Sequence, residues 1–119
     1  TELIVIRIGT VLYALIISAL IFGSCDSDES VPTCIQEKIQ KIKSEPVRNP
    51  PVKVLRYSYR NQEVFYFTAY CCDFPSELFD LNCNLLCSPD GGISGSGDNK
   101  CPDFFTKRID EEIIWQDER

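Results

Sequence analysis

The stretch "VKVLRYSYRNQEVFYFTAY" (residues 52–70) decides the fold, because two strand-like runs flank a short polar segment in it. β-Branched and aromatic residues, which favour strands, fill both runs. A two-residue turn at Asn61 and Gln62 would place Tyr59 opposite Val64. Any other loop of even length assigns the side chains to the same faces. The stretch therefore predicts an antiparallel β-hairpin.

Alternation along the two runs sorts the aromatic side chains by face, because successive residues of a strand point in opposite directions. Leu55 and Val64 share one face with all the tyrosines of this stretch, which are Tyr57, Tyr59, Tyr66 and Tyr70. Tyrosine combines apolar area with a polar tip and is enriched at interfaces, so this tyrosine face is a candidate binding surface. The alternative is that the last strand with Trp115, or the loops, cover it as a second core.

The segment "TCIQEKIQKIK" (residues 33–43) has helical spacing of its apolar residues. Its apolar stripe consists of Ile35, Ile39 and Ile42. Thr33 and Gln36 have the spacing of a capping box at the start of a helix. We expect the stripe to pack on the hairpin face that is opposite to the tyrosines and carries Val54, Phe65 and Phe67.

The rest of the chain predicts short elements joined by turns. "NLLCS" (residues 84–88) and "EEIIWQ" (residues 111–116) are strand-like, and "PDFFTKR" predicts one helical turn that begins at Pro102. The Gly-, Ser- and Asp-rich segment between them (residues 89–100) is typical of a loop. Together these elements predict an α+β fold: a small disulfide-rich domain with an N-terminal helix packed on an antiparallel β-sheet.

An apolar run near the N-terminus predicts export. Residues 11–22 contain no charge, and their length fits the hydrophobic region of a secretory signal better than the roughly 20 residues that a bilayer span needs. The run ends in "Phe22-Gly23-Ser24-Cys25", which resembles the lipobox of bacterial lipoproteins, whose cysteine is diacylated and becomes the new N-terminus. The alternative is an uncleaved transmembrane anchor with Cys25 as a spare thiol.

This pattern predicts three parts of the chain. Residues 1–24 are a lipoprotein-type signal peptide, and residues 25–33 are the lipidated Cys25 with a flexible acidic tether. Residues 34–119 form the disulfide-stapled domain. We expect the exported protein to lie in the cell envelope, on its periplasmic or surface face, and to hold the membrane through its lipid.

If Cys25 carries lipid, an even number of cysteines remains for disulfides, which form in exported proteins. They are Cys34, Cys71, Cys72, Cys83, Cys87 and Cys101. Cys71 and Cys72 are neighbours whose closure needs a strained ring, so we expect each to bond elsewhere, one to Cys34 and the other in the C-terminal half. A metal site of Cys71, Cys72, Cys83 and Cys87 is the competing hypothesis, although its spacing is not that of a zinc site.

Composition excludes several classes of function. A formal net charge of −6 disfavours nucleic acid as a partner. The chain has no histidine, so Ser-His and Cys-His catalytic pairs are impossible. We predict no enzyme and no cofactor. A calcium site in the glycine-rich loop is a weak alternative, with candidate ligands Asp90, Asp98 and Asp103.

Several motifs together resemble a family of small bacterial lipoproteins known only as a domain of unknown function. They are "CIQEKIQKIK", "NPPVKVLRYSY", "YCCD", "CNLLCSPDGGISGSGDNKCPDF" and "IWQDER", and they extend over residues 34–119. The resemblance implies export and lipidation and adds no site. We expect a noncatalytic interaction module of the cell envelope that binds an envelope protein or a glycan. The alternative function is a calcium-stabilised or protease-inhibitor-like domain that uses the loop of residues 88–100.

Overall fold

The structure is a computed structural model that describes residues 30–71 and 73–119. Five strands form one sheet in the order β4-β3-β2-β1-β5, and every neighbouring pair is antiparallel. The elements in chain order are α1 (Thr33–Ser44), β1 (Lys53–Tyr59), β2 (Gln62–Phe67), β3 (Glu77–Phe79), β4 (Leu85–Cys87), α2 (Phe104–Lys107) and β5 (Ile109–Gln116). The predicted α+β class is confirmed.

The predicted signal peptide, Cys25 and most of the tether lie outside the described residues. Within residues 30–71 and 73–119, no helix is long and apolar enough to cross a membrane.

The strand order determines how the two faces of the sheet are covered. β4 and β5 lie on opposite edges, so the segment of residues 88–108 that joins them has to cross one face. It crosses the tyrosine face, while α1 packs on the other face with its three isoleucines buried. The predicted packing of the isoleucine stripe on Val54, Phe65 and Phe67 is confirmed, and the sheet has a core on both sides.

The hairpin turn lies one residue earlier than the sequence predicts. Arg60 and Asn61 form it with φ angles of 51° and 60°, and Tyr59 pairs with Gln62 rather than with Val64. Positive φ at both central residues is the geometry of a hairpin turn that matches strand twist, and asparagine tolerates it well. Because the loop still has even length, the predicted division of β1 and β2 side chains between two faces is confirmed.

The start of α1 also differs from its prediction. Thr33 is already inside the helix, Pro32 occupies the N-cap position, and no side chain caps the first turn. Gln36 Nε2 instead donates to the carbonyl oxygen of Val31 at 2.7 Å. The predicted capping box is therefore wrong. The fixed φ of proline is compatible with the entry into a helix, so the helix begins one residue earlier than a threonine cap would allow.

Candidate functional site

The tyrosine face is a second core rather than an open surface. Tyr57, Tyr59 and Tyr66 are only 3%, 3% and 6% exposed. The fully buried Phe104 of α2 packs among them, with ring centroids 5.5, 5.3 and 5.4 Å from theirs. The crossing segment thus covers these three members of the candidate binding face. Trp115, the other candidate cover, packs on the opposite side with the α1 cluster.

Each buried tyrosine hydroxyl donates a hydrogen bond to a carboxylate. Tyr57 donates to Glu111 Oε1 at 2.5 Å, Tyr59 to Asp103 Oδ1 at 2.5 Å, and Tyr66 to Asp90 Oδ1 at 2.7 Å. Burial, followed by the hydrogen bond to Glu111, raises the pKa of Tyr57 to about 12. Burial likewise raises the pKa values of Tyr59 and Tyr66. These phenols are therefore protonated donors that fasten the crossing segment and β5 to β1 and β2.

The calcium candidates do not converge on one point. Asp90 and Asp103 serve different tyrosines, and Asp98 Oδ1 accepts from the backbone N–H of Lys100 at 3.0 Å. The hydrogen bond from Tyr59 is the main cause that lowers the pKa of Asp103, and the Arg60 guanidinium at 3.1 Å assists it. No group of metal-ligating side chains occurs among the described residues.

Two disulfides lie within the described residues, Cys34–Cys83 and Cys87–Cys101. The expected bond from Cys34 to Cys71 or Cys72 is therefore wrong, as is the expected bond from that pair to the C-terminal half. The antiparallel sheet brings Cys83, which lies in the β3–β4 turn, to the start of α1. Because Cys83 and Cys87 are bonded to separate partners, they cannot act as thiolate ligands of one metal.

Cys71 is also disulfide-bonded. The other four described cysteines bond to one another, so the partner of Cys71 is not among the described residues.

The Cys87–Cys101 bond closes the glycine-rich loop at its base. Gly97 lies at φ 68°, and a Cβ atom there would stand 1.8 Å from the carbonyl oxygen of Ser88. The turn at the tip is closed by a hydrogen bond from Gly95 N–H to Gly92 O at 3.2 Å. Its second residue, Ile93, is 91% exposed. The loop is thus a compact turn with an apolar tip.

Tyr70, the remaining candidate of the tyrosine face, lies outside β2 and belongs to a different cluster. Its ring stacks on Phe74 with centroids 4.5 Å apart and planes at 10°. The Arg48 guanidinium covers Tyr70 at 4.2 Å from the ring centroid. One face of Phe74 lies against Tyr70, yet Phe74 is 53% exposed. We call Arg48, Tyr70 and Phe74 the aromatic stack. Phe74 lies at its end and offers an exposed aromatic surface.

A polar cleft of about 470 Å³ lies on the α1 side of the sheet, beside the hairpin turn. Arg56 forms ion pairs there with Glu63 at 3.1 Å and with Glu112. Sequence reasoning missed this cleft, because its charges come from three strands and no local spacing unites them. One guanidinium holds both carboxylates, so the charged groups of this cleft form an ion-pair network that ties β2 and β5 to β1.

These features define a small disulfide-bonded α+β domain that carries an exposed aromatic stack. Residues 40–117 match a family described as a domain of unknown function (DUF6970). The chain belongs to this family. No curated protein and no solved structure matches the chain.

Proposed function

We propose that the protein is an exported lipoprotein, anchored to a membrane of the cell envelope by lipid on Cys25. The observation that carries the proposal is the pair of disulfides, Cys34–Cys83 and Cys87–Cys101. Such bonds persist in oxidising compartments and are rare in the cytosol of mesophiles. Export through the signal-like segment ahead of "Phe22-Gly23-Ser24-Cys25" accounts for both the disulfides and the cysteine that ends this segment.

The domain of residues 34–119 acts as a noncatalytic interaction module. The carboxylates of Asp90, Asp103 and Glu111 accept hydrogen bonds from buried tyrosines, which supports a structural role for them. The aromatic stack and the exposed Ile93 are preorganised apolar groups, and preorganisation lowers the entropy lost on binding. We expect an envelope protein or an envelope glycan as the partner.

The position of these groups supports the proposal. Cys34, at the start of α1, is bonded to Cys83 at one end of the sheet. Phe74 and Ile93 lie at the opposite end, where Pro75 bridges to Gly91 next to the start of β3. A tether that enters at the Cys34 end leaves the aromatic stack on the side of the domain facing away from the membrane.

The inhibitor-like alternative gains no support from the loop of residues 88–100. Ile93 and Ser94 are the central residues of the Gly92–Gly95 turn, whereas a peptide that occupies a protease cleft is extended. The calcium alternative gains none either, because Asp90, Asp98 and Asp103 serve separate hydrogen-bond partners.

Cys25→Ala tests the anchor. We expect the wild-type protein to fractionate with membranes and to carry the mass of acyl chains, and we expect the variant to lose both properties. Ser27→Ala is the matched control and should behave like wild type. A Cys25→Ala protein that stays on the membrane with an unchanged mass contradicts the proposal.

A peptide map under non-reducing conditions tests the same proposal through Cys71. Lipid on Cys25 leaves Cys72 as the partner of Cys71, despite the strain that a bond between neighbours requires. A peptide that joins Cys25 to Cys71 would exclude the lipid anchor.

The interaction module is tested with two probes: co-sedimentation with purified cell-wall glycan, and photo-crosslinking in intact cells from position 93. We expect saturable binding to one of them, weakened at least tenfold by Phe74→Ala. Ile113→Ala, which removes an exposed side chain from β5, is the control and should bind like wild type. Wild-type levels of binding by Phe74→Ala, or no binding to either probe, contradict the proposal.

A further inference from the structure

The Cys34–Cys83 disulfide joins the start of α1 directly to the sheet. Cys34 is the second residue of α1, and Cys83 lies in the turn between β3 and β4. The covalent loop closed by this bond has a sequence separation of 49 and contains the rest of α1 together with β1, β2 and β3. Tension that arrives at Cys34 from the N-terminal side therefore reaches Cys83 without passing through these elements.

Without this bond, α1 would be the first element to yield. Three isoleucines hold it on the sheet, and Lys38 adds a contact 4.3 Å from the centroid of the Phe79 ring. A pull at the end of a helix separates such contacts one turn at a time rather than all together. The far end of α1 is fastened by Arg119, so peeling would begin at the end where the chain enters from residue 32.

We propose that the Cys34–Cys83 disulfide is the junction that transmits force from the tether to the sheet. It keeps α1 on the sheet when the anchored domain is pulled away from the membrane. From Cys83 the force passes along β4 to Cys87 and through the Cys87–Cys101 disulfide to Cys101. It then acts on the chain that follows Cys101. This inference rests on the proposed function, because an anchored tether is what loads Cys34.

Single-molecule force spectroscopy on the full chain in detergent, with a handle on each terminus, tests the junction. In the Cys34→Ser/Cys83→Ser double variant, we expect α1 to leave the sheet first, at a lower force than the first rupture of wild type. This step should release roughly 20 residues, or about 65 Å of chain. The Cys87→Ser/Cys101→Ser variant also lacks one disulfide but keeps the junction, so we expect α1 to stay on the sheet and any early step to have the length of the loop between residues 87 and 101.

A Cys34→Ser/Cys83→Ser variant that ruptures in one step, at the wild-type force, overturns the inference. If the Cys34→Ser/Cys83→Ser variant does not fold, the inference is tested on the wild-type protein with the handles attached at different positions. Handles at the N-terminus and at Ser44, at the far end of α1, make tension pass along α1 itself. We expect α1 to unravel at lower force in this geometry than in the terminal one, and equal forces overturn the inference.

The handles replace the lipid in these measurements. The force result therefore does not depend on the acylation of Cys25, which intact mass reports separately. Failure of the anchor and failure of the junction are thus distinguishable.

Discussion

Asp117 and Arg119 form a two-point ion pair that fastens the chain after β5 to the end of α1. Arg119 Nε donates to Asp117 Oδ1 at 2.9 Å, and Nη2 donates to Oδ2 at 2.7 Å. The same guanidinium donates to the carbonyl oxygens of Ile42, Lys43 and Glu45 at 3.4, 2.8 and 3.1 Å. The last carbonyls of a helix lack partners and carry partial negative charge, so this cation caps α1 from a distant part of the chain.

Arg119→Gln should lower the melting temperature by several degrees. The substitution removes the charge that caps α1 and leaves the Asp117 carboxylate, which has no solvent-exposed side-chain area, without its cation. Thermal unfolding followed by circular dichroism measures the effect. Lys41→Gln, which removes a charge from the last turn of the same helix, is the control and should change the melting temperature much less. Equal shifts in the two variants would mean that Arg119 acts only as a general helix-end charge.

Alkaline pH should destabilise the protein through Tyr57. Its pKa is about 12 in the folded state and about 10 in the unfolded chain, because burial disfavours the phenolate. A raised folded-state pKa gives stability that is complete below pH 10 and is lost as pH rises toward 12. Urea unfolding at pH 8 and near pH 11 measures the loss, which Tyr57→Phe should reduce.

Glu111→Gln separates the two causes of this shift. It keeps the buried phenol of Tyr57 but removes the negative charge of the carboxylate that accepts its hydrogen bond. Because burial is the larger cause, we expect Glu111→Gln to retain most of the alkaline loss. A variant without any alkaline loss would show that the carboxylate dominates.

Phe104→Ala should cost about 3–5 kcal/mol of unfolding free energy, the range for truncation of a buried phenylalanine. The ring is fully buried and contacts three tyrosine rings, so its removal leaves a cavity between the crossing segment and the sheet. Chemical denaturation measures the change. Phe105→Ala, at the neighbouring position that is 42% exposed, should cost less than half as much. Similar costs at the two positions would contradict a core centred on Phe104.

Gly97→Ala should destabilise the glycine-rich loop more than Gly95→Ala does. Both glycines have positive φ, which costs other residues about 1–2 kcal/mol. A Cβ atom at Gly97 also collides with backbone of Ser88, whereas one at Gly95 meets nothing within 4 Å. Hydrogen exchange of the loop amides and chemical denaturation report the difference. Equal effects would show that backbone conformation alone requires Gly97.

The sequence predicted the two-faced sheet because the period of two in β1 and β2 is local and strong. Val54 and Phe67 pair on one face, and Leu55 and Tyr66 on the other. The same pattern did not place the turn, because moving it by one residue leaves both faces unchanged. β3 was missed since three residues, Glu77–Phe79, are too few to establish a period.

The candidate site was predicted less well than the fold. Tyr70 was grouped with three buried tyrosines by alternation alone, but β2 ends at Phe67, so the alternation stops before it. Arg48 and Phe74, which stack with Tyr70, lie in loops that carry no periodic signal. The cysteine pairing was beyond sequence reasoning for a similar reason, because the sheet brings Cys83 to α1 across 49 positions.

The sequence by itself determined the secondary-structure class, the two aromatic faces and the apolar stripe of α1, since each depends on side chains a few positions apart. Only the tertiary structure decided what covers the tyrosine face and which cysteines meet. Those outcomes follow from the placement of β4 and β5 on opposite edges of the sheet, which forces the intervening chain across the tyrosines. Strand order is a long-range property, and no local spacing encodes it.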